Sequence, residues 1–458
     1  MAQSKLKLYN YLSKKVEEFK PVTEGKVGMY TCGPTVYDFV HIGNWRTFVF
    51  EDVLKRVLEF NGYDVTHVMN ITDIDDKIIK RASDDGVDFR QITEKYEKAF
   101  RDDLGKLNII PAGHFPKATD NITSMIQFIE VLLKKGFAYK ADDGVYFSVE
   151  KFADYGKLSG LSKGNLKKGA RVNDDLYDKE NWSDFALWKF PPSPKASEGQ
   201  AKKEPSWPAP FGEGRPGWHI ECSAMSMALL GEHFDIHSGG VDLLFPHHEN
   251  EIAQSEAATG KKFVNYWMEG EHLLVGGEKM AKSLNNIFTL SDLSKRGIEP
   301  LSLRYLFLTA HYRSKLNFTW ESLEAAQNAL SNLRGEVAGW DAPKIGCSEF
   351  EGDFKNATRD DLDMPRAIAT MWEMVKSDYP GSAKRQSILV MDKVLGLGLA
   401  DVKKSVLPKG AKELIDRRET LRAEGKFEES DKLRKELLEM GVEVEDTPEG
   451  PKWRLKKI

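Results

Sequence analysis

Five histidines, His219, His233, His237, His247 and His248, crowd between residues 219 and 248 of a chain that has ten in all. Cys222 lies among them and Glu251 follows directly. Imidazole, thiolate and carboxylate are the side chains that hold zinc, so this clustering asks for a metal. In Pro246-His-His-Glu-Asn-Glu251 the pair His247 and Glu251 is spaced i, i+4 and shares one face of a helix. Cys222 completes a zinc site if the fold brings it near. Core packing and helix capping are the competing uses of the same side chains. Cys32 lies 190 positions before Cys222, and spacing alone does not nominate it.

A second chemistry is written in Tyr30-Thr-Cys-Gly-Pro-Thr-Val-Tyr-Asp-Phe-Val-His-Ile-Gly-Asn44, an apolar strand running into a glycine-containing turn that opens a helix. A helix N-terminus offers unpaired backbone N–H groups and the positive end of a dipole, so phosphate fits there. His41 beside it can donate a hydrogen bond to a phosphoryl oxygen as negative charge develops. The same residues also suit a plain helix cap with a partly buried histidine. Far downstream, Lys279-Met-Ala-Lys-Ser283 follows Gly276-Gly277 and precedes Asn285-Asn286. Two lysines on such a turn can grip a polyphosphate during reaction and release it afterwards. A solvated basic turn is the alternative.

Elements must place these groups together. Val27 to Cys32 and Val65 to Asn70 read as short strands, and between them Phe50, Val53, Leu54, Val57 and Leu58 make one face of a helix that stops at Asn61-Gly62. That is a βαβ unit. Phe234 and Ile236 alternate ahead of Ser238-Gly239-Gly240, a helix begins near Pro246, and the apolar segment Tyr266 to Val275 follows. The two regions form the halves of one doubly wound sheet. Residues from about Gly113 to Gly217 then lie between the halves as an insertion, and seven prolines within residues 191 to 217 mark an exposed loop there, including Lys195 to Lys203. After Ser283 the chain turns helical, with Leu323, Leu330 and Leu333 on bundle spacing, and Leu414 to Met440 carries dense alternating charge.

A length of 458 residues suggests roughly three domains. Sixty-six basic residues against seventy-one acidic give a net charge of -5, so any RNA contact rests on local patches and not on a global field. The first twenty residues lack the apolar stretch of a signal peptide, and no run is long enough to span a membrane. A cytoplasmic location is expected. Three scattered cysteines fit a reducing compartment and leave metal binding or thiol chemistry as their use.

Taken together, in this order and on either side of a long insertion, the His41 and Lys279 segments resemble the HIGH and KMSKS motifs of class I aminoacyl-tRNA synthetases. Asn44 stands where the first motif has its second histidine, and Ala281 where the second has its first serine. The resemblance implies that His41, Asn44, Lys279 and Lys282 act on the phosphates of ATP, and that Gly43, Asp242 and Lys282 bind the nucleotide, with Mg²⁺ on its phosphates. Four further blocks narrow the likeness to the cysteinyl-tRNA synthetase family: Thr31 to Asp38, Asn70-Ile-Thr-Asp-Ile-Asp-Asp-Lys77, Gly217 to Met225, and Phe234 to Gln254. By position, Cys32, Cys222, His247 and Glu251 match that family's ligands for one Zn²⁺. Gly33, Thr72, Trp218 and His237 fall near the amino acid, and Cys347 matches nothing.

The fold so implied is α/β. It is a Rossmann-like doubly wound parallel sheet over 1–112 and 218–290 with a connective insertion at 113–217, a stem-contact region at 291–345, a helical bundle at 346–410 and a small anticodon-binding region at 411–458. The implied partners are L-cysteine, ATP and tRNA(Cys), with the chain a monomer. Arg417, Arg418, Arg422, Lys452, Trp453 and Arg454 offer cations and an aromatic for unstacked anticodon bases, although residues 411 to 458 hold 12 basic and 13 acidic side chains. A ligase joining cysteinyl adenylate to a small amine, lacking the RNA-reading tail, and a catalytically silent RNA-binding paralogue are the rival readings.

Overall fold

The structure is a computed structural model that describes residues 5–160, 166–172, 182–191, 204–280, 284, 286–403, 407–447 and 450–455. Its centre is a parallel sheet built from β1 (Lys26–Thr31), β2 (Asp64–Met69), β3 (Phe234–Gly240) and β4 (Val264–Gly270), in the order β4-β3-β1-β2. Helix α1 (Ile42–Phe60) joins β1 to β2, α2 (Trp218–Leu230) leads into β3, and α3 (Glu249–Thr259) joins β3 to β4. The doubly wound α/β arrangement expected from the sequence is present.

Three details differ from the sequence reading. All seven residues of β3 are buried, where alternation was expected, because a central parallel strand is covered on both faces. The helix expected near Pro246 begins at Glu249, after a turn over Leu244–His248. Proline disfavours helical geometry in the residue before it, and Phe245 is accordingly extended at φ -135°, ψ 131°. The apolar segment Tyr266 to Val275 is divided: β4 ends at Gly270, and Leu273–Val275 enters a separate sheet between Glu278–Lys279 and Leu316–Phe318.

Between the halves, strands Ala138–Lys140, Gly144–Phe147 and Trp182–Lys189 pair antiparallel, with Leu166–Val172 and Arg215–Pro216 alongside the last of them. Their aromatic core, including Phe147, Phe185 and Trp188, continues into Ile220 and Met225 of α2 and Ala253 and Ala257 of α3. The expected loop at Lys195 to Lys203 lies outside the described residues.

Helix α1 carries the anticipated apolar face, yet Asp52, Lys55 and Arg56 on its other side are buried too, as is Glu51, which accepts from Ser238 of β3. Helices Pro300–Leu308 and Gly381–Leu395 pack against that side. Burying charge there requires pairing, and Asp52 supplies it. Its carboxylate lies 2.7 Å from Arg56 and 2.6 Å from Arg304, and it accepts the Ile110 N–H at 2.8 Å. Arg304 also donates to the Leu395 carbonyl at 2.6 Å, and Arg56 to that of Lys393 at 3.0 Å. Leu323, Leu330 and Leu333 are buried on helix Trp320–Gly339 as their spacing predicts.

The C-terminal unit consists of helices Ala411–Ala423 and Phe427–Glu439 and the hairpin Val442–Thr447/Gly450–Leu455. Here the sequence reading needs correction. Arg418 is fully buried and forks onto Asp446 at 2.7 and 2.9 Å, while Trp453 packs against the local core of Ile415, Leu437 and Val444. Both hold the hairpin in place; Arg418 is not presented to RNA, whereas Trp453 is half-buried. No helix among the described residues is long and apolar enough to cross a membrane.

Removing the hub carboxylate strands two buried guanidinium groups. Asp52→Ala is expected to cost about 3 to 5 kcal/mol of folding free energy, read from the denaturant midpoint. An unchanged midpoint would show that the contact between sheet and helices is held elsewhere.

Candidate active site

The connection from β1 runs to one side of the sheet and that from β3 to the other, so a crevice opens where the two strands end. A cavity of about 290 Å³ fills it. Cys32 and Gly33 line it just past β1, Asn70 and Thr72 past β2, and Gly240 and Asp242 at and beyond the end of β3. His41 and Asn44 reach it from α1, and Trp218 and Cys222 from α2. Gly33 admits no side chain: an added Cβ would sit 1.7 Å from the Asn70 carbonyl oxygen, while the Gly33 N–H donates to Asn70 Oδ1 at 2.8 Å.

The sequence-nominated ligands converge. One donor atom from each of Cys32, Cys222, His247 and Glu251 lies within 4.8 Å of all the others, and all four residues are buried. His247 Nε2 stands 3.1 Å from Glu251 Oε1, which accepts no hydrogen bond. An imidazole nitrogen and a carboxylate oxygen placed so can both turn lone pairs to one cation. A second overlapping set, Cys32, His237, His248 and Glu251, also falls within 4.8 Å. Only the first set turns three members, Cys32, Cys222 and His247, to the cavity.

Neighbouring side chains fix these donors. His237 Nε2 is 2.9 Å from Glu251 Oε2, the two His219 and His247 Nδ1 atoms are 2.9 Å apart, and Trp218 stacks on His247 with ring centres 4.3 Å apart. His248 lies between Cys32 Sγ at 3.5 Å and Glu269 at 2.7 Å. Burial, reinforced by Cys222, pushes the Cys32 thiol well up; burial also lifts the Glu251 carboxyl to about 8 and draws His247 down to about 3. At neutral pH and without a cation, the Cys32 and Glu251 positions hold protons they can release.

His41 is the N-cap of α1, and its Nδ1 accepts the Asn44 N–H at 3.3 Å. The neutral ring then carries its proton on Nε2. Gly43 is tightly approached: an added Cβ would lie 2.1 Å from Met280 Cε and 3.1 Å from the His41 ring. The Lys279 segment thus reaches the start of α1, although Lys279 itself is exposed and does not line the cavity. Lys282, with Ala281 and Ser283, lies outside the described residues. Thr72 donates to Glu221 at 3.0 Å. His237, expected beside the amino acid, sits behind Glu251 and not on the cavity wall.

Sequence reasoning missed Glu221, His248 and Glu269 as supports. His248 stood inside the histidine cluster and was legible as a candidate. Glu269 has no sequence signal, because only the pairing of β3 with β4 brings it to His248.

Comparison with known proteins fits this geometry. Residues 18–328 match the family model described as tRNA synthetases class I (C) catalytic domain, and 404–454 match the cysteinyl-tRNA ligase anticodon binding domain. A cysteine–tRNA ligase of Brachyspira hyodysenteriae is 42% identical, covering 98% of this chain and 99% of its own. One of Thermococcus gammatolerans is 44% identical over 99% and 100%. Among solved structures, a methionyl-tRNA synthetase of Mycobacterium tuberculosis bound by methionyl-adenylate shares the fold with a TM-score of 0.58 at 13% identity, covering 82% of this chain and 93% of that one. Near-complete coverage at that identity, by relatives of one name, with both the catalytic and the anticodon-binding models matched, places the chain in the cysteine–tRNA ligase family of class I aminoacyl-tRNA synthetases.

Proposed function

We propose that this ligase selects L-cysteine by its sulfur, through one Zn²⁺ held by Cys32, Cys222, His247 and Glu251 at the cavity floor. The observation that carries this reading is the convergence of four buried Lewis bases, three of which, Cys32, Cys222 and His247, line the cavity that opens beside the N-terminus of α1. Two thiolates, an imidazole and a carboxylate are a zinc donor set. A zinc ion held by these side chains would supply a thiophilic Lewis acid beside the amino acid, which favours a thiol over the hydroxyl of serine. Discrimination of this kind needs no second, hydrolytic site, unlike the rejection of a single methylene, which is worth only about 1 to 3 kcal/mol.

The chain's own residues do the rest by positioning and charge. Gly33, Thr72, Trp218 and His237 shape and brace the amino-acid end. The cysteine carboxylate attacks the α-phosphate of ATP in line, forming cysteinyl adenylate and releasing pyrophosphate. His41 Nε2–H and the α1 N-terminus stabilise the α-phosphoryl oxygens, and Asn44 donates to them as a neutral group. Gly43 lets the nucleotide approach the helix start, and Asp242 accepts hydrogen bonds from it. Lys279 and Lys282 hold the pyrophosphate portion, with Mg²⁺ on the nucleotide. A ribose hydroxyl at the 3′ end of tRNA(Cys) then attacks the adenylate carbonyl and AMP leaves. The sheet halves 1–112 and 218–290 bear this chemistry with the connective insertion 113–217 between them, 291–345 contacts the tRNA stem, 346–410 is a helical bundle, and 411–458 reads the anticodon. The enzyme works as a cytoplasmic monomer. The match to an anticodon-binding domain over 404–454 speaks against the small-amine ligase.

Because the buried Cys32 and Glu251 positions hold protons when no cation is bound, zinc uptake should release protons, and its apparent affinity should fall as pH is lowered. Titrating zinc into chelator-stripped protein with a pH indicator reads this; uptake without proton release would contradict the ligand set. Cys222→Ser should lose zinc and cysteine-dependent ATP–pyrophosphate exchange together. Lys282→Ala should slow exchange by about tenfold or more while zinc content stays at one per chain. Wild-type exchange in that variant would remove Lys282 from the mechanism.

A further inference from the structure

Arg46 lies five residues beyond the His41 cap on α1 and is only 4% exposed. A guanidinium so buried normally meets a carboxylate, yet among the described residues Arg46 forms no ion pair. Its donors go instead to backbone carbonyls: Nη1 to His272, and Nη2 to Ser314 and, at 3.4 Å, to His311. Burial lowers its pKa to about 10, which leaves the fork charged at neutral pH.

Those carbonyls stand at the mouths of two strands. His272 directly precedes Leu273–Val275, and Ser314 lies two residues before Leu316–Phe318; the strands pair in parallel as Leu273↔Leu316, Leu274↔Asn317 and Val275↔Phe318. The first of them pairs in turn with Glu278–Lys279, setting Lys279 opposite Leu274. Lys279 is therefore one ladder step from a strand whose entry Arg46 grips. The far end of the same segment returns to the same helix turn. The Ile42 N–H donates to the Phe288 carbonyl at 2.8 Å, and His41 bridges Thr289. Met280 meanwhile rests against Gly43. One and a half turns of α1 thus bear the catalytic imidazole and also fix both ends of the lysine-bearing segment.

We propose that Arg46 is a positioning residue for adenylate formation, locking the strands that carry Lys279 to the helix that carries His41, so that both groups address one polyphosphate. This rests on the roles given above to His41 and Lys279. A planar fork presents separate, fixed N–H groups to carbonyls of the two strands, whereas an ammonium on a flexible stem offers its three donors from one nitrogen and fixes their geometry less. A misplacement of about 1 Å, caused away from the reacting atoms, can cost of order a hundredfold in rate.

The test is a double-mutant cycle on the full-length, zinc-loaded enzyme with Arg46→Lys, Lys279→Ala and both together. Cysteine-dependent ATP–pyrophosphate exchange is measured, with rates normalised to active sites by the adenylate burst, so that incomplete folding does not enter kcat. Arg46→Lys is expected to lower kcat about tenfold or more, with zinc content and the KM for cysteine unchanged. On the Lys279→Ala background it should add little further loss, since both changes break one linkage. Losses that multiply independently, or an Arg46→Lys defect confined to the KM for cysteine, overturn the proposal and leave the role of Lys279 standing. Wild-type exchange in Lys279→Ala alone overturns the role of that lysine, a separate outcome.

Discussion

Four Lewis bases brought within 4.8 Å of one another inside a protein cannot all keep their lone pairs and charges unless a cation stands among them. Everything around the cavity floor answers to that constraint. Burial, reinforced by Cys222, favours the protonated Cys32 thiol and Glu251 carboxyl, and burial keeps the His247 ring neutral. The surrounding layer fixes the orientation of each donor. His237 holds Glu251, His219 and Trp218 hold the His247 ring, and Glu269 holds His248 beside Cys32. A metal held in this way has ligands whose directions are set before it arrives. The price of that order is a core unusually rich in buried polar groups.

The second organising element is α1. Its first turn caps itself with His41 and presents a helix N-terminus to the cavity. Its second binds the strand entries through Arg46, and its third carries Asp52, which pairs with Arg304 and ties the sheet to the helices of the C-terminal half. A single rigid rod thereby relates the His41 cap, the lysine segment and the helical region. This accounts for a helix buried on nearly all sides where an amphipathic one was expected. Rigid placement matters for this reaction because the protein supplies little covalent chemistry; the rate comes from where the groups stand.

Much of this was legible in the sequence because it depended on local periodicity. The β1–α1–β2 unit followed from the stripe Phe50 to Leu58 and the Asn61-Gly62 stop, and the crevice followed from two such units. The proximity of His247 to Glu251 was legible in their i, i+4 spacing, whereas the approach of Cys32 needed the family likeness, since nothing local links it to Cys222. What stayed hidden was non-local. Glu269 meets His248 only through strand pairing, Arg46 is satisfied by carbonyls that any residue could supply, and the helix start after Pro246 was shifted by the proline's effect on Phe245. Arg418 misled because a buried fork onto Asp446 and an exposed RNA contact look alike in a charge-dense helix.

The central claim, that the substrate is chosen by its sulfur at a metal held by these four side chains, is tested most directly by X-ray absorption at the zinc edge of the full-length protein. The account predicts two sulfur neighbours in the protein alone, a third when cysteine is added, and still two with serine. A zinc shell without protein sulfur, or one that cysteine leaves unchanged, would contradict it.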